Sequence, residues 1–253
     1  MKSKLILALS GNDIFSGGGL YADLATYITN GQHGFVAVTC LTALTDNGFE
    51  VIPTAAKTFA QQLGSLSAVP FSAIKIGLLP NIEIAELALD FIKQHAGLPL
   101  VLDPVLVCKE SHDVEVSALR TELIKFFPYA TIITPNLAEA EFLTGQSIKT
   151  VDDMKIAAQK LYELGAKNVV IKGGNRLSKE KAIDVFYDGV AYQVLENPVL
   201  EYNNIGAGCT FASSIASHLV KGEQVCEAVA QAKDFVYQAI QRSDEYGVQQ
   251  YES

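Results

Sequence analysis

The sequence lacks a long apolar run. Its hydrophobic stretches are strand-sized, well short of what a membrane-spanning helix needs, so no role in the membrane is expected. The N-terminus carries no apolar core of a secretory signal, and a cytoplasmic location is expected. Basic residues are scarce: 19 lysines and arginines against 28 acidic residues give a formal charge of −9, and no basic cluster stands out. A face that binds a nucleic-acid backbone is therefore not expected. Four cysteines (Cys40, Cys108, Cys209, Cys226) lie far apart, with no Cys-x-x-Cys and no Cys/His metal spacing. They read as free thiols, with Cys40 and Cys226 as core fillers. Linkers, low-complexity segments and internal repeats are absent too.

What remains is the composition of a well-packed globular protein, with 49% hydrophobic and 19% charged residues over 253 positions, read as one domain spanning 1–253. Short apolar runs alternate with helical patterns. Strands are predicted at 4–9, 35–39, 73–76, 100–102, 131–133 and 168–171, and helices at 18–30, 59–66, 82–95, 116–126, 137–143 and 154–164. This alternation implies an α/β fold with a mostly parallel sheet. Asp188-Gly189 between two further strand patterns, 183–187 and 190–195, predicts an antiparallel hairpin at the sheet edge. Helices at 207–221 and 224–240 follow, and the last dozen residues read as a polar, loosely held tail.

The most informative stretch is Asn204-Ile205-Gly206-Ala207-Gly208-Cys209, where two glycine steps run into an amphipathic helix. One reading is a glycine-rich lead-in to a buried helix. The other is an anion hole, because exposed N–H groups at a helix start hold phosphate or developing negative charge. A thiolate at Cys209 fits there, since a helix start lowers the pKa of a thiol.

Further candidates follow strands, where open α/β sheets bind ligands. Asp103 ends one strand and is held extended by Pro104. In Thr134-Pro135-Asn136-Leu137-Ala138-Glu139 the spacing fits a helix cap with a capping-box glutamate, and it also fits a second carboxylate beside Asp103 for magnesium carrying nucleotide phosphates. Lys172 before Gly173-Gly174 is either a phosphate partner or a solvated lysine at a turn. Gly17 to Ala22 matches G-x-G-x-x-A, yet about seven residues separate it from the strand, so a dinucleotide-binding dehydrogenase is only a rival reading. The P-loop pattern is absent.

Together these segments resemble the vitamin kinases of the ribokinase-like superfamily, the hydroxymethylpyrimidine and bacterial pyridoxal kinases. The resemblance spans nearly the whole chain, through Ser10-Gly-Asn-Asp13, Ser16-Gly-Gly-Gly19, Ala22-Asp23-Leu24, Ile74-Lys-Ile-Gly77, Asp103-Pro-Val105, Thr134-Pro-Asn136 with Glu139, Ile171-Lys-Gly-Gly174 and Gly206-Ala-Gly-Cys209. It implies a three-layer α/β/α fold, a homodimer, and transfer of the ATP γ-phosphoryl group to a hydroxymethyl group on a small heteroaromatic ring. By position, Gly206, Ala207, Gly208 and Cys209 would form the anion hole. Asp103 and Glu139 would organise magnesium, Lys172, Asn136 and Gly174 would reach ATP, and Asp13 and Gly19 would meet the ring.

The resemblance also bears on which vitamin is bound. Pyrimidine kinases carry glutamine where this chain has Leu44, whose apolar side chain leaves an aminopyrimidine unmatched; pyridoxal fits better. The loop Val105 to Lys109 resembles the pyridoxal kinase version. Cys108 is then either a loop thiol without a role or, with Cys209, a thiol that adds reversibly to the aldehyde of pyridoxal. The stretch Cys108 to Val114 could close over substrate. Ile205 departs from the histidine usual before the glycine step, and any contact of that histidine is lost. The histidines present, His33, His95, His112 and His218, read as ordinary. A carrier that binds the vitamin without turning over ATP is a further reading.

Overall fold

A computed structural model describes residues 4–106 and 113–251. In chain order the elements are β1 (Leu5–Asn12), α1 (Gly19–Thr29), β2 (His33–Thr45), β3 (Gly48–Pro53), α2 (Ala56–Leu66), β4 (Ala73–Ile76), α3 (Ile82–Gln94), β5 (Leu100–Leu102), α4 (Asp113–Ile124), β6 (Ile132–Ile133), α5 (Leu137–Thr144), α6 (Val151–Glu163), β7 (Val169–Lys172), β8 (Lys181–Tyr187), β9 (Tyr192–Pro198), α7 (Ala207–Leu219) and α8 (Val225–Gln241).

The central strands are apolar on both sides, which is what a parallel sheet covered on both faces requires. Leu7 and Leu9 of β1, Leu100 and Leu102 of β5, and Val169 and Ile171 of β7 join one core with α2 to α6. Their neighbours Ile6, Ala8, Val101 and Val170 join a second core under α1, α7 and α8. The sheet runs β3-β2-β1-β4-β5-β6-β7-β8-β9. The six strands from β2 across to β7 pair in parallel, while β3, β8 and β9 are antiparallel. The helix starts are set locally: Asn81 caps α3 through the N–H of Ile84, and Thr150 and Asp153 form a reciprocal box on α6.

Strands β4 and β5 have the predicted bounds, and the Asp188-Gly189 hairpin is present. Three expectations need correction. β2 continues six residues past its predicted end and pairs with the half-exposed β3 across a turn at Asp46-Asn47-Gly48, where Asn-Gly is itself a hairpin signal that the expected elements left out. Cys226 is exposed and fills no core. The C-terminal stretch is packed, with Val248 and Gln250 buried.

Candidate active site

The carboxyl ends of β1, β4, β5, β6 and β7 open on one crevice, where the strand order turns back at β1. Two helices start there. Gly18 precedes α1 and Gly206 precedes α7, and among the described residues no side chain caps either. The N–H of Gly18 meets Asp13 Oδ2 at 2.9 Å, that of Gly19 the sulfur of Cys209 and that of Ala207 the carbonyl of Asn204 at 3.1 Å, so at the start of α7 the donors left for a ligand are those of Gly208 and Cys209. Gly206 sits at φ 83°, and a Cβ on it would collide with the carbonyl oxygen of Gly17, so the approach of the two loops requires glycine.

Cys209 stands in the first turn of α7, and its sulfur receives the N–H of Gly19. Burial pushes its thiol pKa up, with Asp23 and Asp103 adding to the rise and Lys75 opposing it. The expected lowering of the Cys209 thiol is thus corrected to a rise, because desolvation outweighs Lys75 and the N–H of Gly19.

At the rim, Lys172 Nζ lies 2.7 Å from Asp103 Oδ1, which also accepts the hydroxyl of Thr134 at 3.0 Å. Burial pulls the Lys172 pKa down, but Asp103 and Glu139 overcome it and the ammonium ends above its usual range. Asn136 and Glu139 make the reciprocal capping box expected of them: the N–H of Asn136 donates to Glu139 Oε2 at 2.7 Å and the N–H of Glu139 to Asn136 Oδ1 at 3.0 Å. Glu139 is also part of the charge cluster. Burial pushes its carboxyl up to about 7, Lys172 counteracts this, and Asp103 adds to it. Two buried carboxylates thus face a single lysine, and their surplus negative charge suits a divalent cation. No three candidate ligands converge among the described residues, so the fit is to an ion completed by phosphate and water oxygens, as magnesium commonly is.

Lys172, Asn136, Gly174, Ala207 and Gly208 line a cavity of about 400 Å³ together with Asn175, Arg176 and Phe211. On the other side of Cys209 lies a smaller cavity of about 170 Å³, lined by Asp13, Gly19, Asn12, Thr42, Phe49, Val51 and Leu78. Asp13 and Phe49 also border an outer cavity of about 410 Å³ with Phe15, Ile205, Glu245 and Tyr246. Among the described residues, every site residue expected from the sequence lies at this crevice except Leu44. Leu44 stands at the hairpin end of β2, 66% exposed, and its cross-strand partner Phe49 reaches the cavity instead. Cys108, His112 and most of the stretch expected to close over substrate lie outside the described residues.

Sequence reasoning missed two ion pairs. Lys75 on β4 lies 2.9 Å from Asp23 of α1, both fully buried, and Ser213 of α7 donates to the same carboxylate at 2.6 Å. Lys233 of α8 lies 2.7 Å from Asp184, whose other oxygen accepts the N–H of Gly173 at 3.0 Å and so holds the turn after Lys172. For the first pair the signals were a lysine inside an apolar strand and an aspartate on the buried side of a helix; for the second they were an aspartate within strand β8 and a lysine on the buried side of α8.

The sequence profile of phosphomethylpyrimidine kinases matches residues 13–252. The chain belongs to the phosphomethylpyrimidine kinase family. Membership makes it an ATP-dependent small-molecule kinase, on the ribokinase-like fold expected. Among its relatives, a pyridoxine kinase of Bacillus subtilis is 41% identical over 248 residues, spanning 94% of this chain and 90% of that protein. The pyridoxal kinase of Staphylococcus aureus in complex with AMP-PCP superposes with a TM-score of 0.91 at 33% identity, covering 99% of this chain and 94% of that one. The ADP complex of Bacillus subtilis pyridoxal kinase does so with a TM-score of 0.91 at 38% identity, covering 97% and 96%.

Proposed function

We propose that the protein transfers the γ-phosphoryl group of ATP to the hydroxymethyl group of pyridoxal, pyridoxine or pyridoxamine, in salvage of vitamin B6. The observation that carries this reading is the position of Cys209 and the uncapped start of α7 between a nucleotide-sized cavity and a smaller one suited to a single ring. The relatives that bind ATP analogues and pyridoxal support it.

In this reading the N–H groups of Gly208 and Cys209 meet the charge on the moving phosphoryl group, Ala207 holds the turn before them through the carbonyl of Asn204, and Lys172 neutralises phosphate oxygens from the nucleotide side. Asn136 and Gly174 border the nucleotide, while Asp13 and Gly19 border the ring. Phosphoryl transfer passes through a loose transition state and depends mainly on positioning and electrostatics, so a Cys209 that is a thiol at neutral pH is no obstacle. Asp103 and Glu139 would hold magnesium, which when bound supplies charge neutralisation and a template for the phosphates. The protein acts in the cytoplasm as a homodimer; sedimentation of the purified protein checks the dimer.

The deciding experiment is ADP release with magnesium-ATP and, in parallel, pyridoxal, pyridoxine and hydroxymethylpyrimidine. Faster turnover of the B6 vitamers is the expected result. Faster turnover of hydroxymethylpyrimidine would move the enzyme to thiamin synthesis, and vitamin binding without ADP release would make it a carrier.

A further inference from the structure

The C-terminal segment is tied to the start of α7 by a chain of polar contacts. Past α8 the backbone turns at Asp244, whose carboxylate accepts the N–H groups of Tyr246 at 2.8 Å and Gly247 at 3.1 Å. The turned segment then docks on the loop before Gly206. Asn203 Nδ2 donates to the carbonyls of Asp244 and Glu245 at 2.9 and 3.1 Å, while its Oδ1 accepts the N–H of Ile205 at 3.0 Å. The N–H of Val248 donates to the carbonyl of Ile205 at 3.0 Å. Gln250, fully buried, donates through Nε2 to Thr210 Oγ1 at 2.9 Å, inside the first turns of α7.

Glycine makes the contact close. Gly247 has φ 156°, and a Cβ on it would stand 2.8 Å from the carbonyl oxygen of Ile205 and 3.0 Å from Gly17 Cα. Three glycine-bearing segments of backbone, at 17, 206 and 247, thereby press together, and the last of them belongs to the tail.

We infer that residues 244–250 are a positioning element for phosphoryl transfer: they hold the Asn203–Gly206 loop so that the N–H groups of α7 aim into the crevice. A misplacement of about 1 Å in such a group costs up to about 100-fold in rate, whereas the fold barely registers it. The inference rests on the kinase reading.

The test uses the full-length protein with Asn203→Ala, Asn203→Asp and Gly247→Ala, following ADP release, ADP affinity by calorimetry and thermal unfolding. Asn203 is only half-buried, so its variants are expected to fold even where Gly247→Ala does not. Asn203→Asp keeps the acceptor for Ile205 and loses the donor to the tail. The expected result is a kcat about 10- to 100-fold lower in both Asn203 variants, and in Gly247→Ala where it folds, with the Asn203 variants unfolding near the temperature of the wild type. Wild-type rates in a folded Gly247→Ala, or recovery of full kcat by Asn203→Asp, would overturn the inference. Should the wild type turn over no vitamin, the kinase reading fails separately, and the loss of ADP affinity in the variants then decides whether the tail positions the anion site.

Discussion

Two lysine–aspartate pairs lie close together under the same crevice, and they differ in what surrounds them. Lys75 and Asp23 are sealed, each fully buried, and Ser213 adds a third partner. Lys172 and Asp103 are the same pair chemically, but Lys172 keeps 16% of its side chain exposed and opens on the nucleotide-sized cavity. A sealed pair can only hold β4, α1 and α7 in register. An open pair can exchange its partner for a phosphate. The difference teaches that burial, more than residue type, separates an ion pair that can only be structural from one that a ligand could reach.

The contrast can be broken by removing each lysine. Lys172→Met is expected to lower kcat by about 100- to 1,000-fold in the ADP-release assay, with a smaller loss of stability than at the sealed pair because Thr134 still donates to Asp103 and the neighbouring Glu139, its carboxyl already pushed up to about 7, can take up a proton. Lys75→Met strands a sealed carboxylate and is expected to cost about 3–5 kcal/mol in urea unfolding. Pairing it with Asp23→Leu should restore much of that loss, since both charges are then gone. Equal stability losses in the two single variants would erase the distinction between the pairs.

Protonation sharpens the same contrast. The carboxyl of Glu139 has its pKa raised from an ordinary 4.5 to about 7 by burial, opposed by Lys172 and aided by Asp103. The native state therefore holds this proton more tightly than the unfolded chain, so its contribution to stability is greatest at low pH and is lost as pH rises from about 4.5 through about 7. Thermal melts of protein free of metal and nucleotide should show a wild type that loses ground to Glu139→Gln between about pH 5 and pH 8. Gln keeps the capping box, which leaves the charge as the difference. The smallest expected effect is on thiol reactivity. At neutral pH iodoacetamide should modify the exposed Cys226 well before Cys209, whose thiol is held up by burial, and the gap should close at more alkaline pH. Preferential labelling of Cys209 at neutral pH would restore the thiolate.

Much of the fold and of the site was legible in short stretches of sequence. Strands β4 and β5, the hairpin before β9 and the family itself came from apolar alternation, Asp-Gly and glycine spacing, all of which are local signals. The glycine step at 206–208 and Asp103 in front of a proline were visible for the same reason. β3 escaped although Asn47-Gly48 and the alternation of Phe49 and Val51 around Glu50 were local signals for it, whereas the packed tail escaped because polar residues such as Gln250 bury only against partners far away in sequence. Leu44 shows the converse: the resemblance led to the expectation of a ligand contact there, but its 66% exposure at the end of a hairpin could not be read from the sequence.

The sequence by itself determined most of the strands and helices, the glycine start of α7, and which family the chain joins. These follow from backbone freedom and from the side-chain periods of neighbouring residues. Only the tertiary structure decided that Lys75 meets Asp23 across 52 positions, that burial raises the pKa of the Cys209 thiol, and that Gln250 reaches α7. Desolvation and long-range pairing depend on what the fold brings near each group, and no local pattern carries that information.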